Sequence, residues 1–194
     1  DASTKFAPEN MWGYFPSASA AWRVSDEAFM SRTHTWLNNL KLRIGWGATG
    51  NNATQNAYPS NLLYSGGQNY AYAGGLNPAI YLMQIANNKL KWETTYQSNL
   101  GIDFGLFNNR INGSIDIYNK DTKDLLLYAD VPPSIGFSQV QQNVGSINNR
   151  GLEITLNGTI LPGGEKRLKW SSSFNISFNK NKITALSDGQ LSRK

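Results

Sequence analysis

Residues Leu168 to Phe178 alternate with a period of two for the length of a long β-strand. Leu168, Trp170, Phe174, Ile176 and Phe178 share one face, interrupted only by Ser172; Lys169, Ser171, Ser173, Asn175, Ser177 and Asn179 fill the other. A strand of a soluble sandwich alternates too, but it usually runs about 5 to 6 residues, whereas a tilted strand crossing a bilayer needs about 9 to 11. Five further segments repeat the pattern: Tyr14–Val24, Leu40–Gly47, Tyr96–Leu106, Arg110–Tyr118 and Leu152–Ile160. Their polar faces carry charge in mid-strand, at Arg23, Lys41, Arg43, Asp103, Asp116, Glu153 and Lys169. In a closed barrel that face would line a wet lumen. The expected fold is all-β: an antiparallel up-and-down meander of about six long strands, forming part of a transmembrane barrel wall.

The links between segments alternate in length. Phe107–Arg110, containing Asn108-Asn109, and Leu161–Arg167, containing Pro162-Gly163-Gly164, are short and have turn chemistry. Thr49–Trp92 and Lys120–Arg150 are long and rich in Gly, Asn, Tyr and Pro. Outer-membrane barrels keep short turns on the periplasmic side and long loops outside, which orients the strands. Ser25–Asn39 is then periplasmic, with Ser25 capping a short helix over Asp26–Arg32. No run of 18 apolar residues exists, so a helical membrane span is excluded and a barrel is not. Asp1–Asn10 show no basic segment followed by an apolar one, so no signal peptide is expected there.

Chemistry of other kinds finds little to work with. There is no cysteine, and one histidine, His34, cannot build a metal cluster or a catalytic triad. Gly45, Gly47 and Gly50 spell GxGxxG, but the following Asn-rich stretch to Pro59 is a poor helix, so strand end plus loop is the reading. Asp121, Asp124 and Asp130 lack the spacing of a calcium loop. Asp103, Asp116 and Glu153 share a face, as glycosidase carboxylates would, but carboxylates are ordinary in a channel lumen. The net charge of +5 is scattered, apart from Lys166-Arg167-Lys169 and Lys180-Lys182, which argues against nucleic-acid binding. No enzyme activity, metal or cofactor is expected.

Ligand contact is expected instead in the first long link, where Tyr58, Tyr64, Tyr70, Tyr72 and Tyr81 stand among glycines. A tyrosine offers a flat apolar body with a polar tip, suited to stacking on sugar rings or gripping peptides. Packing within the loop or contact with a lipoprotein lid would use the same residues. Trp22, Trp46, Trp92 and Trp170 suit the wall or its aromatic belt.

The phrases WGYFPSASAAWRVSDEAFM (Trp12–Met30), LNNLKLRIGWGATGNN (Leu37–Asn52), Lys91–Leu126, Gly136–Ile160 and WSSSFNISFNKNKI (Trp170–Ile183), in this order, resemble the SusC/RagA-like TonB-dependent outer-membrane transporters of Bacteroidetes. The resemblance implies a 22-stranded barrel with an N-terminal plug in the outer membrane of a Gram-negative bacterium. It also implies a SusD-like surface lipoprotein partner, TonB as energy source, and oligosaccharides or peptides as cargo. The chain then corresponds to an internal piece of the C-terminal half of the barrel, with plug and TonB box absent and an ending, SDGQLSRK, unlike an aromatic-terminated last strand. The competing reading is a soluble secreted β-sandwich that binds carbohydrate through its tyrosines.

Overall fold

A computed structural model describes residues 1–54, 56–164 and 167–186, with backbone alone for 162–164 and 167. The described residues form ten strands: β1 Ser17–Arg23, β2 Leu37–Asn51, β3 Leu63–Tyr72, β4 Gly75–Gln84, β5 Glu93–Leu106, β6 Ile111–Lys123, β7 Leu126–Asp130, β8 Gln139–Asn143, β9 Ser146–Gly164 and β10 Arg167–Ala185. Six make one antiparallel sheet in the order β1-β2-β5-β6-β9-β10, and β3–β4 and β7–β8 are separate hairpins inside the two long links. The six are the alternating segments of the sequence, paired with their neighbours in chain order. A sandwich would pack a second sheet on the apolar face; here that face is open, with Ile44 60% and Phe174 57% exposed.

Each level across the sheet keeps its chemistry. Trp22, Leu42, Ile102, Ile115, Ile154 and Ile176 lie opposite one another from edge to edge, and the next level on that face runs Ala20, Ile44, Leu100, Ile117, Leu152, Phe178. The other face has levels Ala21, Arg43, Gly101, Asp116, Glu153, Ser177 and Arg23, Lys41, Asp103, Ser114, Thr155, Asn175. A slip of one residue in any pairing would send apolar side chains to the polar face, so the pattern itself selects this register.

The apolar band crosses the sheet obliquely. On β2 it runs from Leu40 to Ala48, but on β10 its upper end, Phe178, is level with Ile44, and its lower end reaches Leu168, well past the level of Leu40. A slide of about five residues over four strand spacings, at about 3.4 Å per residue and 4.8 Å per strand, is a tilt of about 40°. That lies within the range closure into a barrel demands.

The β5–β6 turn holds Phe107, Asn108 and Asn109 at φ of 52, 57 and 59°. Asparagine tolerates this left-handed backbone, which is the physical content of the Asn-Asn signal. Buried packing gathers at the two ends of the sheet: at the end bearing the hairpins Leu90 has no accessible surface and Phe6 and Ala7 are buried, and at the other end Val24, Ser25 and Leu37 are buried.

Four sequence expectations change. The long links contain hairpins: Ala73 and Gly74, at φ of 52 and 78°, close β3–β4, a turn signal hidden among many glycines. The strands of the sheet outside β1 are longer than expected, since β9 and β10 run on to Gly164 and from Arg167. β1 is shorter, because Pro16 cannot donate to the ladder and only its carbonyl joins, accepting from Ala48 N at 2.9 Å. Finally, the expected helix over Asp26–Arg32 is two 3-10 turns, Val24–Asp26 and Ala28–Thr33, separated by extended Glu27; Ser25 lies inside the first and caps nothing. Lys166 and the ending from Ser187 lie outside the described residues.

The open apolar face and the unpaired outer edges of β1 and β10 invite association. Produced alone in detergent-free buffer, residues 1–194 are expected to elute from size exclusion as multimers and aggregate; a monodisperse monomer with a cooperative melt would contradict this packing.

Candidate functional site

Three strands meet in one ion cluster on the polar face. Arg43 of β2 donates from Nε to Asp103 Oδ2 and from Nη2 to Asp103 Oδ1, both at 2.8 Å, and Nη2 also reaches Asp116 Oδ1 of β6 at 2.8 Å. Arg43 is opposite Gly101 and Gly101 is opposite Asp116, so the guanidinium must lie across β5 to touch both carboxylates. Gly101 permits this. A Cβ there would stand 2.7 Å from Arg43 Cζ. The planar fork suits the two-pronged contact, which a lysine could not reproduce.

Of the other charged residues of this face, Lys41 is level with Asp103 and Arg23 and Glu153 is opposite Asp116, whereas Lys169, on the same face of β10 as Ser171, lies eight residues along the strand from the cluster's level at Ser177. Arg23 pairs with Asp26 at 3.6 Å, both well exposed, a contact of little energetic weight. Asp103 and Asp116 are held by one arginine as an ion cluster, unlike a pair set across a water for glycoside cleavage. Asp121 accepts from Asn119 and Asn148, Asp124 pairs with Lys91 at 2.9 Å, and Asp130 accepts from Gln139, so the three are separately engaged. Among the described residues no group of three or more His, Asp or Glu is placed to hold a metal ion. Gly45, Gly47 and Gly50 lie within β2.

At the hairpin end the five tyrosines divide. Pairing sets Tyr70 opposite Asn77, Tyr72 opposite Gly75 and Tyr81 opposite Ser65, so these three share a face of β3–β4 with Gln68. The rings of Tyr70 and Tyr72 are 6.4 Å apart. Tyr64 would join them by simple alternation, but the bulge at Gly66-Gly67 moves it to the other face, opposite Leu82 and with Leu76 and Ile80. Tyr58 precedes the hairpin, and its carbonyl accepts from Gln84 Nε2 at 2.7 Å. All five side chains are exposed.

The second hairpin is tied to the segment leading into β5. Asn143 donates to Lys91 O and accepts from Lys91 N, both at 2.8 Å, and Asn87 Nδ2 donates to Gln141 O at 2.8 Å. Trp92 anchors the same segment between Phe6 and Phe15, with ring centroids at 5.6 and 5.2 Å. Between the hairpins is a cavity of about 180 Å³ lined by the amides of Asn56, Gln84, Asn87, Gln139 and Gln141 beside Tyr128 and Phe137. Gln141 is 7% exposed, and its Oε1 has no hydrogen-bond partner among the described residues. Sequence reasoning missed Gly101, Gln141 and Asn143; a glycine between two charged levels was the one signal available, and nothing local marks the amides.

Arg43→Gln and Gly101→Ala, made in the full-length protein, are each expected to cost about 1 kcal/mol, allowing for solvent screening of a partly exposed cluster. Because both break the same cluster, the double variant should cost less than the two together. Urea titration of the folded, heat-modifiable form checks this; strict additivity would mean that the glycine does not make room for the guanidinium.

Comparison with known proteins follows the fold. The family model of TonB dependent receptor-like β-barrels matches residues 1–193. TonB-dependent receptor P39 of Formosa agariphila is 38% identical over 188 residues, and TonB-dependent receptor SusC of Bacteroides thetaiotaomicron is 38% identical over 192; each match covers 97% of this chain and 17% and 19% of the relative. Among solved structures, the RagAB peptide transporter superposes with a TM-score of 0.85 at 29% identity, covering 97% of this chain and 20% of that one. The chain thus spans about a fifth of the length of its relatives. Six tilted strands in chain order, an apolar face without a core and a match over nearly every residue place this chain in the TonB-dependent receptor β-barrel family.

Proposed function

We propose that this chain is a wall segment of an outer-membrane nutrient transporter of a Gram-negative bacterium, with the apolar face toward lipid and the polar face lining the solute path. The carrying observation is the strict separation of the two faces across six strands tilted by about 40°. An apolar face of this extent is stable against hydrocarbon and costly against water. Arg23, Lys41, Arg43, Asp103, Asp116, Glu153 and Lys169 then stand on the lumen side. TonB and the plug act through other parts of the full protein, and a SusD-like surface lipoprotein closes over the hairpin end. In that arrangement the apolar face of β3–β4, with Leu76 and Ile80, suits the lipoprotein, while Tyr70, Tyr72 and Tyr81 meet cargo.

For the cargo, an oligosaccharide is favoured over a peptide by the cavity between the hairpins. Its described lining has five amides, two aromatic rings and the apolar Pro59, Met83, Ile85 and Val140, with no charged side chain, a set that matches neutral hydroxyls and apolar ring faces better than charged peptide termini. Gln141 supplies one of those amides.

Two experiments test these readings. In the full-length barrel, Leu42→Arg and Ile115→Arg are each expected to cost about 2 to 4 kcal/mol near the midplane, and Asn112→Arg on the other face close to nothing, measured as folding into lipid vesicles by heat-modifiable mobility. Equal sensitivity of the two faces would remove the membrane reading. Gln141→Leu should stabilise the protein by roughly 1 kcal/mol, since it removes a buried unpaired acceptor, and weaken oligosaccharide binding about tenfold. Calorimetric titration with oligosaccharide and peptide panels reads the second effect; loss confined to peptides would reverse the cargo assignment.

A further inference from the structure

Beyond the apolar band, the outward face changes character at the hairpin end. One level past Leu152 and Phe178, that face still carries Ala18 and Trp46 on β1 and β2 but Ser98, Asn119, Arg150 and Lys180 on the other four strands, and the next level runs Ala48, Tyr96, Asp121, Asn148, Lys182. Arg150 and Lys180 stand directly opposite each other on β9 and β10, and all three cations are exposed. Like charges opposite one another in an antiparallel pair destabilise it. No salt bridge to the three is formed among the described residues. Asp121, on the level of Lys182, is held by neutral amides, Oδ2 accepting from Asn119 at 2.8 Å and Oδ1 from Asn148 at 2.6 Å, and its single charge offsets at most one of the three cations. Among the described residues the three cations therefore leave a net positive site immediately above an apolar surface.

We propose that Arg150, Lys180 and Lys182 bind the phosphate of a phosphorylated glycolipid of the outer leaflet, whose acyl chains lie on the band below at Leu152 and Phe178. This rests on the outer-membrane reading, which sets the hairpin end outside. Position and charge carry the inference together: cations alone would suit any anion, but cations one level beyond a lipid-facing surface are at headgroup depth. Lys123, whose ammonium lies 5.7 Å from the centre of the Tyr96 ring on the same face, marks the same boundary.

The test uses the full-length transporter in nanodiscs of phosphatidylcholine doped with lipid A or with dephosphorylated lipid A, and counts retained glycolipid by native mass spectrometry. Wild type is expected to retain lipid A, and the triple variant Arg150→Gln, Lys180→Gln, Lys182→Gln to retain at least about tenfold less. Lys120→Gln, on the opposite face, should retain as much as wild type. Stability gives a second readout with a change of sign: Lys180→Gln alone should raise the urea midpoint in pure phosphatidylcholine, where it relieves repulsion, and lower it with lipid A present. Equal retention of both glycolipids, equal retention by the triple variant, or a Lys180→Gln effect of the same sign in both membranes would overturn the proposal. Failure of the wild type to show heat-modifiable folding in either membrane would overturn the outer-membrane reading as well, and the missing mobility shift tells that outcome from the others.

Discussion

Everything in this chain hangs on the parity of a ladder. Side chains along a strand alternate with a period of two, and six strands hold one register, so each residue's face is decided by its partner four or five strands away. The level from Trp22 to Ile176 is apolar at all six positions, and the level beside it carries Arg43, Asp116 and Glu153. No hydrophobic core within the sheet enforces this. What enforces it is the cost of exchanging a whole face, which grows with every strand added.

The polar face would be a weak place to look for cohesion, because exposed ion pairs contribute little. The Arg43 cluster is an exception in geometry. One side chain spans three strands and satisfies two carboxylates that would otherwise repel, and a glycine between them is the condition for it. The same solution is extended toward the hairpins by uncharged groups, as Thr95 and Thr122 hydrogen-bond across β5–β6 at 2.8 Å. Side-chain bonds thus tie the strands laterally on a face that water reaches.

Much of the wall was legible in the sequence because alternation is a local signal that repeats. Leu168–Phe178 could be read without any knowledge of its partners. The hairpins were harder: in β3 the bulge at Gly66-Gly67 breaks the parity, so Tyr64 and Tyr70 look alike in sequence and face opposite ways. The mid-strand charges of the polar face stand out in the sequence as a set, but their mutual arrangement depends on register between strands far apart in the chain. Gln141 and Asn143 escaped altogether, since an amide in an Asn-rich link has no periodicity to betray it, and its role depends on which backbone it meets.

The two hairpins bear on how the wall is built in time. Neighbouring strands of the large sheet are consecutive, yet β2 must find β5, and β6 must find β9, across long links. A hairpin closes on itself in microseconds, and once β3–β4 has formed, Leu63 is held against Gln84. The free chain left between β2 and β5 is then roughly halved, which lowers the entropy cost of joining them by about 0.6 kcal/mol. The β7–β8 hairpin pairs Leu126 with Asn143 and brings the end of β6 almost directly to the start of β9. Segments placed beyond one end of the sheet would in this way act as folding clamps, converting two slow, long-range encounters into short closures that propagate the sheet strand by strand.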